Sequence, residues 1–435
     1  MLHDSVTLKR KIILEDNITI RIPFSKSISN RLLIISNLAG SVPQIENLST
    51  ADDTEMLLKF INQAENKSSN KFYCKNAGTT LRFLLALLSL KEGQWQLDAD
   101  KRMQTRPLMP LIDILRELGA DIKTADTENI FPITINGKIL NGNKVIEPKK
   151  SLTSQIISAL LLISGKVKGG FSIVLPKNQT SMPYIDMTVS LVNRFGGQIK
   201  RNDNILVCSE SQYYFNKIKV ESDFSAAAFF FLYTAVGKLK SIKLNNLQTS
   251  SLQGDSICIK LFERFGVRTE FQKDGAVLSY DADLMPCNQN LEFDLSDYPD
   301  LFCPIAVAGY ISGKEICIKN LASLRVKESN RLKNMITELN KLGNRCKEEN
   351  NCMIIAPLSD THARRIWKER GFAFNTYNDH RIAMALSAVA FTCKNITIKN
   401  PDCVKKSFPD FWSQAHNFLD CFFSKELSNS QEEKE

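Results

Sequence analysis

The chain repeats itself. An apolar helix tail, a glycine and a short strand-like run recur as LRELGADI (Leu115–Ile122), VNRFGGQI (Val192–Ile199), FERFGVRT (Phe262–Thr269) and LNKLGNRC (Leu339–Cys346). The glycines stand at 119, 196, 266 and 343, at intervals of 77, 70 and 77. Glycine is expected where a helix closes in the left-handed conformation. A fixed period means that one supersecondary unit has been copied, and copied units bury their apolar faces against one another.

A second pattern interleaves with the first. A polar cluster opens a helix rich in Ala, Ser and Leu, beginning at Ser25, Asn76, Leu152, Ser222, Leu295 and Asn378. Between these helices lie alternating, β-branched runs such as FSIVL, KIKV, EICIKN and NITIKN, which read as strands. The pattern predicts six βαβ-type units and an α/β architecture. Only 51 residues separate Ser25 from Asn76, so the first unit is expected to lack a strand or hairpin. Phe408–Phe423 reads as a closing helix, and the polar tail SKELSNSQEEKE as disordered.

Composition excludes several classes. The 435 residues are 43% hydrophobic and 24% charged, a globular balance spread over more than one domain. No apolar run approaches the ~18–20 residues of a membrane span. The start, MLHDSVTLKRKII, has no apolar core behind a basic end, so no secretory signal is read and a cytoplasmic protein is expected. The net charge of +9 comes without a polybasic block, so small anionic substrates fit better than nucleic acid. Eleven cysteines, an odd number without a CxxC pair, read as reduced, mostly buried thiols. Four histidines without ligand spacing give no metal site.

The helix openings carry the chemistry. They include Lys26, Ser27, Gly78, Thr79, Thr153, Ser154, Gln155, Asp223, Asp300, His380 and Arg381. Each alone is an ordinary cap. Six helix N-termini around one cleft, with cations beside them, would make a strong anion site. Further cations come in KRMQTRP (Lys101, Arg102, Arg106), RVKESNR (Arg325, Lys327, Arg331) and PDCVKKSFPD (Lys405, Lys406). On a helix, Lys327 and Arg331 would share a face and Glu328 could pair with Arg331. There is no GxxxxGK[ST] and no GxGxxG. The residues alone thus indicate an α/β enzyme for multiply anionic small molecules, with carboxylates and lysines for proton transfer.

In order along the chain stand SKSISNR, NAGTTLR, KRMQTRP, TSQIISALL, SMPYIDMT, DYPD, RVKESNRL, YNDHRIAM and KKSFPDFW. From about Ile12 to Trp412 this set resembles the 5-enolpyruvylshikimate-3-phosphate synthase family. The resemblance implies transfer of the enolpyruvyl group of phosphoenolpyruvate to the 5-hydroxyl of shikimate 3-phosphate, with release of phosphate, on the shikimate pathway to chorismate and the aromatic amino acids. It implies no metal and no organic cofactor. It implies an inside-out α/β barrel fold of two similar domains, three repeats each, closing on a hinge over a cleft. Residues 1–22 would join 224–435, and 23–223 would form the other domain. A monomer is expected.

The resemblance also assigns residues. Lys26 would touch both substrates, and Ser27, Arg31, Thr153, Ser154, Ser181, Tyr184, Ser323 and Lys327 would hold shikimate 3-phosphate. Gln155 would contact both ligands. Gly78, Arg106, Arg331, Arg381 and Lys406 would hold phosphoenolpyruvate. Asp300 would serve as general base at the 5-hydroxyl and also contact shikimate 3-phosphate, and Glu328 would move a proton at C3 of phosphoenolpyruvate. Division of the proton transfers among Asp300, Glu328 and Lys26 stays open. Asn76, Thr79, Arg102 and His380 would support the site.

The chain departs from the family's usual pattern in places. Phe24 and Ser222 stand for glycines, Phe83 for a proline, Ser323 for an asparagine and Asn330 for an aspartate. Phe24 and Phe83 flank phosphoenolpyruvate contacts, so they bear on affinity for that substrate and for analogues such as glyphosate. Two rivals share the fold. The UDP-N-acetylglucosamine enolpyruvyl transferase typically has Lys-Asn where this chain has Lys26-Ser27, and a cysteine that Lys101–Arg106 lacks. A non-catalytic binding relative would be expected to lose at least one of Lys26, Asp300, Glu328, Arg381 and Lys406, and all are present.

Overall fold

The computed structural model describes all residues except 1–2, 13–17, 41–43, 127–128, 149–150, 288–289, 359–360 and 425–435. The polar tail read as disordered lies outside the described residues beyond Ser424.

Five four-stranded sheets and one two-stranded sheet form. The unit between Lys71 and Gly137 shows the plan. Strands Lys71–Tyr73 and Gly93–Asp98 run parallel, joined over the helix Gly78–Leu90. Gly93–Asp98 then pairs antiparallel with Ile133–Gly137, and that strand with Asp121–Lys123. The helices Ser154–Ile163, Phe302–Ser312 and His380–Ser387 join parallel strands in the same way. The four repeat glycines have φ of +96°, +94°, +81° and +146°, so each closes its helix as the sequence period requires.

The first unit is the short one. Among the described residues its strand Ile45–Glu46 pairs only with Ile218–Lys219, and no hairpin follows. The N-terminal strand Ser5–Arg10 lies antiparallel to Asn395–Lys399 of the last unit. The closing segment differs from the sequence expectation. Only Phe411–Ala415 is helical, and Leu419–Ser424 is a strand against Ser5–Arg10. The open edge of the first strand supplies hydrogen bonds that a lone helix end would lack.

Two separate cores result. One draws on residues 6–22 and 224–419, the other on residues 28–220. The helix Phe224–Gly237 is apolar nearly all round and therefore buried. Its Phe230 meets Tyr233, Phe408, Phe411 and Phe418 with ring centroids 5.4–6.3 Å apart. Truncating such a side chain costs about 3–5 kcal/mol. The chain passes between the halves twice. The two passages run side by side, with Phe24 bridged to Ser222. Ser25 N–H donates to Glu221 O at 2.9 Å and Asp223 N–H to Pro23 O at 2.8 Å. Among the described residues no helix is long and apolar enough to cross a membrane. All eleven cysteines are free, six of them buried.

Candidate active site

All six helix openings converge on one cavity of about 430 Å³ between the halves. One half contributes Lys26, Ser27, Arg31, Gly78, Thr79, Arg106, Thr153, Ser154, Gln155, Ser181 and Tyr184 to its wall. The other contributes Asp300, Ser323, Lys327, Glu328, His380 and Arg381. Seventeen expected residues thus share one surface, although they come from five of the six units, and Asp223 adds the fourth unit to the wall.

The helix starts explain the placing. Ser25 caps the first helix by accepting from Ile28 N–H, which aims Lys26 and Ser27 into the cavity. Lys26 Nζ lies 3.2 Å from Asp53 Oδ2. Arg31, one turn on, is buried. It donates to Ser27 O, Thr188 Oγ1, Ser158 Oγ and Tyr184 O at 2.7–3.1 Å. Burial pulls its pKa down to about 10. Gly78 is a close-approach glycine. A methyl there would stand 2.6 Å from Arg106 Nη2. Ser181 opens its helix at φ +58°, a left-handed conformation that costs about 1–3 kcal/mol outside glycine. Among the described residues the Thr153 hydroxyl is buried without a partner, as are both ring nitrogens of His380. Burial, with Lys26 and Arg381 nearby, holds His380 well below its ordinary pKa, so the ring is neutral. These unpaired polar atoms are open to a ligand.

Arg331 organises the carboxylates. It is 1% exposed and stands behind the wall rather than on it. Its guanidinium reaches Asp300 Oδ1 at 3.3 Å, Glu328 Oε2 at 3.1 Å and Asp379 Oδ2 at 3.0 Å. Arg381 Nη2 holds Asp300 Oδ2 at 2.7 Å. Lys406, also off the wall, lies 3.6 Å from Glu328 Oε1 and donates to Asn76 O at 2.5 Å. Burial alone would raise both acids, but cations outweigh it. Arg381, Lys327 and Arg331 keep Asp300 ionised, and Lys406, Arg106 and Arg331 keep Glu328 ionised. Lys327 is lowered by burial, with Asp300 opposing.

The helical face expected for Lys327 and Arg331 does not exist. Lys327 ends the 3-10 helix Ala322–Val326, and a new helix starts at Arg331. Asn330 caps that helix by accepting from Lys333 N–H, and this splits the run. The expected Glu328–Arg331 pair does form.

The halves also touch directly. Asn76 Nδ2 lies 3.5 Å from Glu328 O, and Arg102 donates to Arg325 O and Lys327 O at 3.0–3.3 Å. Ser181 N–H donates to Ser296 O, and Met182 N–H to Asp297 Oδ1. Asp300 and Glu328 stand among the cations of the cleft and pair with Arg331, Arg381 and Lys406.

Sequence reasoning missed three groups. Arg82 is fully buried and donates to Gly78 O and Gln155 Oε1 at 3.0 and 2.9 Å. Burial, then Arg106, lowers its pKa to about 9. Asp379 carries Arg331 and caps the helix at His380, a role its position before His380-Arg381 could have signalled. Asp53 lies 27 residues from Lys26, and no local pattern marks the pair. Among the described residues no group of His, Cys, Asp and Glu has metal-holding geometry.

A family model described as EPSP synthase (3-phosphoshikimate 1-carboxyvinyltransferase) matches residues 15–415. A 3-phosphoshikimate 1-carboxyvinyltransferase of Buchnera aphidicola is 32% identical, covering 97% of this chain and 99% of the relative. Another, of Bacteroides fragilis, is 34% identical over 91% of this chain and 93% of its own. Among solved structures, an EPSP synthase from Acinetobacter baumannii aligns with a TM-score of 0.74 at 20% identity, over 96% of this chain and all of that one. The enolpyruvyl transferase NikO from Streptomyces tendae aligns at 0.72 and 13% identity, over 98% of this chain and all of that one. At these identities the structural likeness speaks for the fold.

Proposed function

The chain belongs to the EPSP synthase (3-phosphoshikimate 1-carboxyvinyltransferase) family, and from that premise we propose how the cavity's residues divide the reaction. The enzyme transfers the enolpyruvyl group of phosphoenolpyruvate to the 5-hydroxyl of shikimate 3-phosphate and releases phosphate. The bond from C2 to the 5-oxygen of shikimate 3-phosphate forms while that hydroxyl loses its proton and C3 gains one. The ketal then expels phosphate while the methyl loses a proton.

The observation that carries the assignment is the grip of Arg331 on Asp300 and Glu328 together. One guanidinium fixes two ionised carboxylates on one side of the cavity. Asp300 accepts the proton of the 5-hydroxyl. Glu328 starts as a base as well, so it must take a proton from solvent as the ligands enter before it can deliver one to C3. An incoming phosphate and carboxylate draw Arg106, Arg331 and Lys406 away from it, which lets its pKa rise. Ligand entry thus turns Glu328 into the acid, and Lys26 stands between the substrates. Thr153, Ser154, Ser181, Ser323, Arg31 and Lys327 hold shikimate 3-phosphate. Gly78, Arg106 and Arg381 hold phosphoenolpyruvate, and Gln155 touches both. Asn76, Thr79, Arg102 and His380 support them.

Phosphate release from phosphoenolpyruvate, measured with shikimate 3-phosphate and with Asp300→Ala and Glu328→Ala variants, tests these roles. Loss of turnover in both variants is expected, and normal turnover in either removes that residue from its role. Residues 1–22 with 224–435, and 23–223, are taken as the two domains. The separate cores support the division, and limited proteolysis at the two passages checks it. A cytoplasmic monomer is the proposed state, open to test by sedimentation and cell fractionation.

A further inference from the structure

Asp255 lies on the 3-10 helix Gly254–Ile257, beside the cavity but not on its wall. It reaches the site because Gly254 lacks a side chain. A methyl there would lie 2.2 Å from Pro183 Cβ. The segment therefore presses on the start of the helix Met182–Arg194, and Asp255 Oδ2 comes to 3.2 Å from the Tyr184 hydroxyl. That same hydroxyl is 3.1 Å from Asp300 Oδ2. Ser225 Oγ donates to Asp255 Oδ2, while Asp255 Oδ1 is buried without a partner among the described residues.

Counting protons decides the state of this cluster. A phenol carries one proton and cannot donate to two carboxylates. Asp300 is ion-paired to Arg331 and Arg381 and stays charged. Among the described residues Asp255 has no ion pair, and it is 2% exposed. The groups that face it are Tyr184, Ser225, Asp300, Asp223, Arg381, Cys258 and Tyr298. Arg381 alone is cationic, and it is spent on Asp300. A buried carboxylate without a partner is far less favourable than the neutral acid. Burial, with Asp300 adding, accordingly pushes the Asp255 pKa up to about 7.

We propose that Asp255 is a positioning residue that, as the neutral acid, donates its proton to the Tyr184 oxygen and so turns the tyrosine's own proton onto Asp300. This rests on the reading of Asp300 as the base. Asp300 Oδ2 is then held by Tyr184 and Arg381. Oδ1, held among the described residues by Arg331 alone at 3.3 Å, is left to accept from the 5-hydroxyl. When Asp255 ionises, it draws the tyrosine's proton to itself and Asp300 loses that anchor.

The test is kcat against pH for the wild type and for Asp255→Asn, Asp255→Leu and Asp300→Ala. The wild type should lose turnover as pH rises through about 7, where Asp255 ionises. The asparagine amide donates at every pH, so Asp255→Asn should keep turnover within ~3-fold at pH 6.5 and lose that decline. Asp255→Leu should lower kcat about ten- to a hundred-fold while the KM for shikimate 3-phosphate changes less than ~3-fold. The inference is overturned if Asp255→Asn keeps the decline, if it falls as far as Asp255→Leu, or if Asp255→Leu turns over like the wild type. Should the leucine variant fail to fold, the asparagine profile still decides. Normal turnover by Asp300→Ala would overturn the base reading itself. An inactive Asp300→Ala with an unchanged profile in Asp255→Asn would overturn only the role of Asp255.

Discussion

Arg102 Nη2 donates to the carbonyl of Lys327 at 3.0 Å, from one half of the molecule to the other. The same group reaches Arg325 O at 3.2 Å, and Nε reaches Lys327 O at 3.3 Å. A charged donor on a neutral acceptor is worth about 1.5–3 kcal/mol. Arg102→Ala should therefore weaken closure, raising the KM of both substrates by about 10- to 100-fold while leaving the melting temperature nearly unchanged. Small-angle scattering should show a more open molecule. Unchanged KM values would mean that the contact does not favour the closed form.

Gly78→Ala puts a methyl 2.6 Å from the Arg106 guanidinium. That group is pinned by Asn76 Oδ1 at 3.3 Å and Met103 S at 3.6 Å, so it must shift. The expected result is a rise of about ten-fold or more in the KM for phosphoenolpyruvate, with a smaller change for shikimate 3-phosphate. Steady-state kinetics with each substrate varied in turn checks this. Equal changes for both would place Arg106 elsewhere.

Glu328→Gln keeps the shape and removes the proton carrier. Turnover should fall by about 10²–10⁴-fold, and solvent deuterium should no longer enter C3 of phosphoenolpyruvate. If deuterium still enters at the wild-type rate, another group moves that proton.

His380 gives a stability prediction. Its pKa in the folded chain lies well below the ordinary 6.5, with burial as the main cause. Below pH 6.5 the unfolded chain takes up a proton that the folded chain refuses. Stability therefore falls with pH, by up to ~1.4 kcal/mol per unit, until the folded value is reached. His380→Gln should lose less stability than the wild type between pH 7 and pH 5. Denaturant melts at the two pH values make the comparison, and equal losses would contradict a buried neutral ring.

The period of the glycines was enough to read the architecture, because a left-handed helix end tolerates little else and a copied unit repeats it. The short first unit was legible in the other pattern, from the 51 residues between the helix openings at Ser25 and Asn76. The cavity was legible wherever its residues open a helix, since a cap sits at a fixed place in sequence. Asp53 and Asp255 were not, because tertiary contact alone brings them to Lys26 and Tyr184. The run from Arg325 to Arg331 misled, because Asn330 caps a new helix inside what the charge spacing alone presents as one. Phe408–Phe423 misled as well. Its aromatic residues suit helix and strand alike, and the free edge of Ser5–Arg10, some four hundred residues away, decides for the strand.

The paired passages at Phe24 and Ser222 limit how the two halves can move. A single tether would leave three rotations free. Two tethers tied to each other by Ser25–Glu221 and Asp223–Pro23 leave essentially one axis and no sliding. Any swing about that axis would return the halves in one register. Such a swing would bring Tyr184 back to Asp300 and Arg102 back to Lys327 with no angular search.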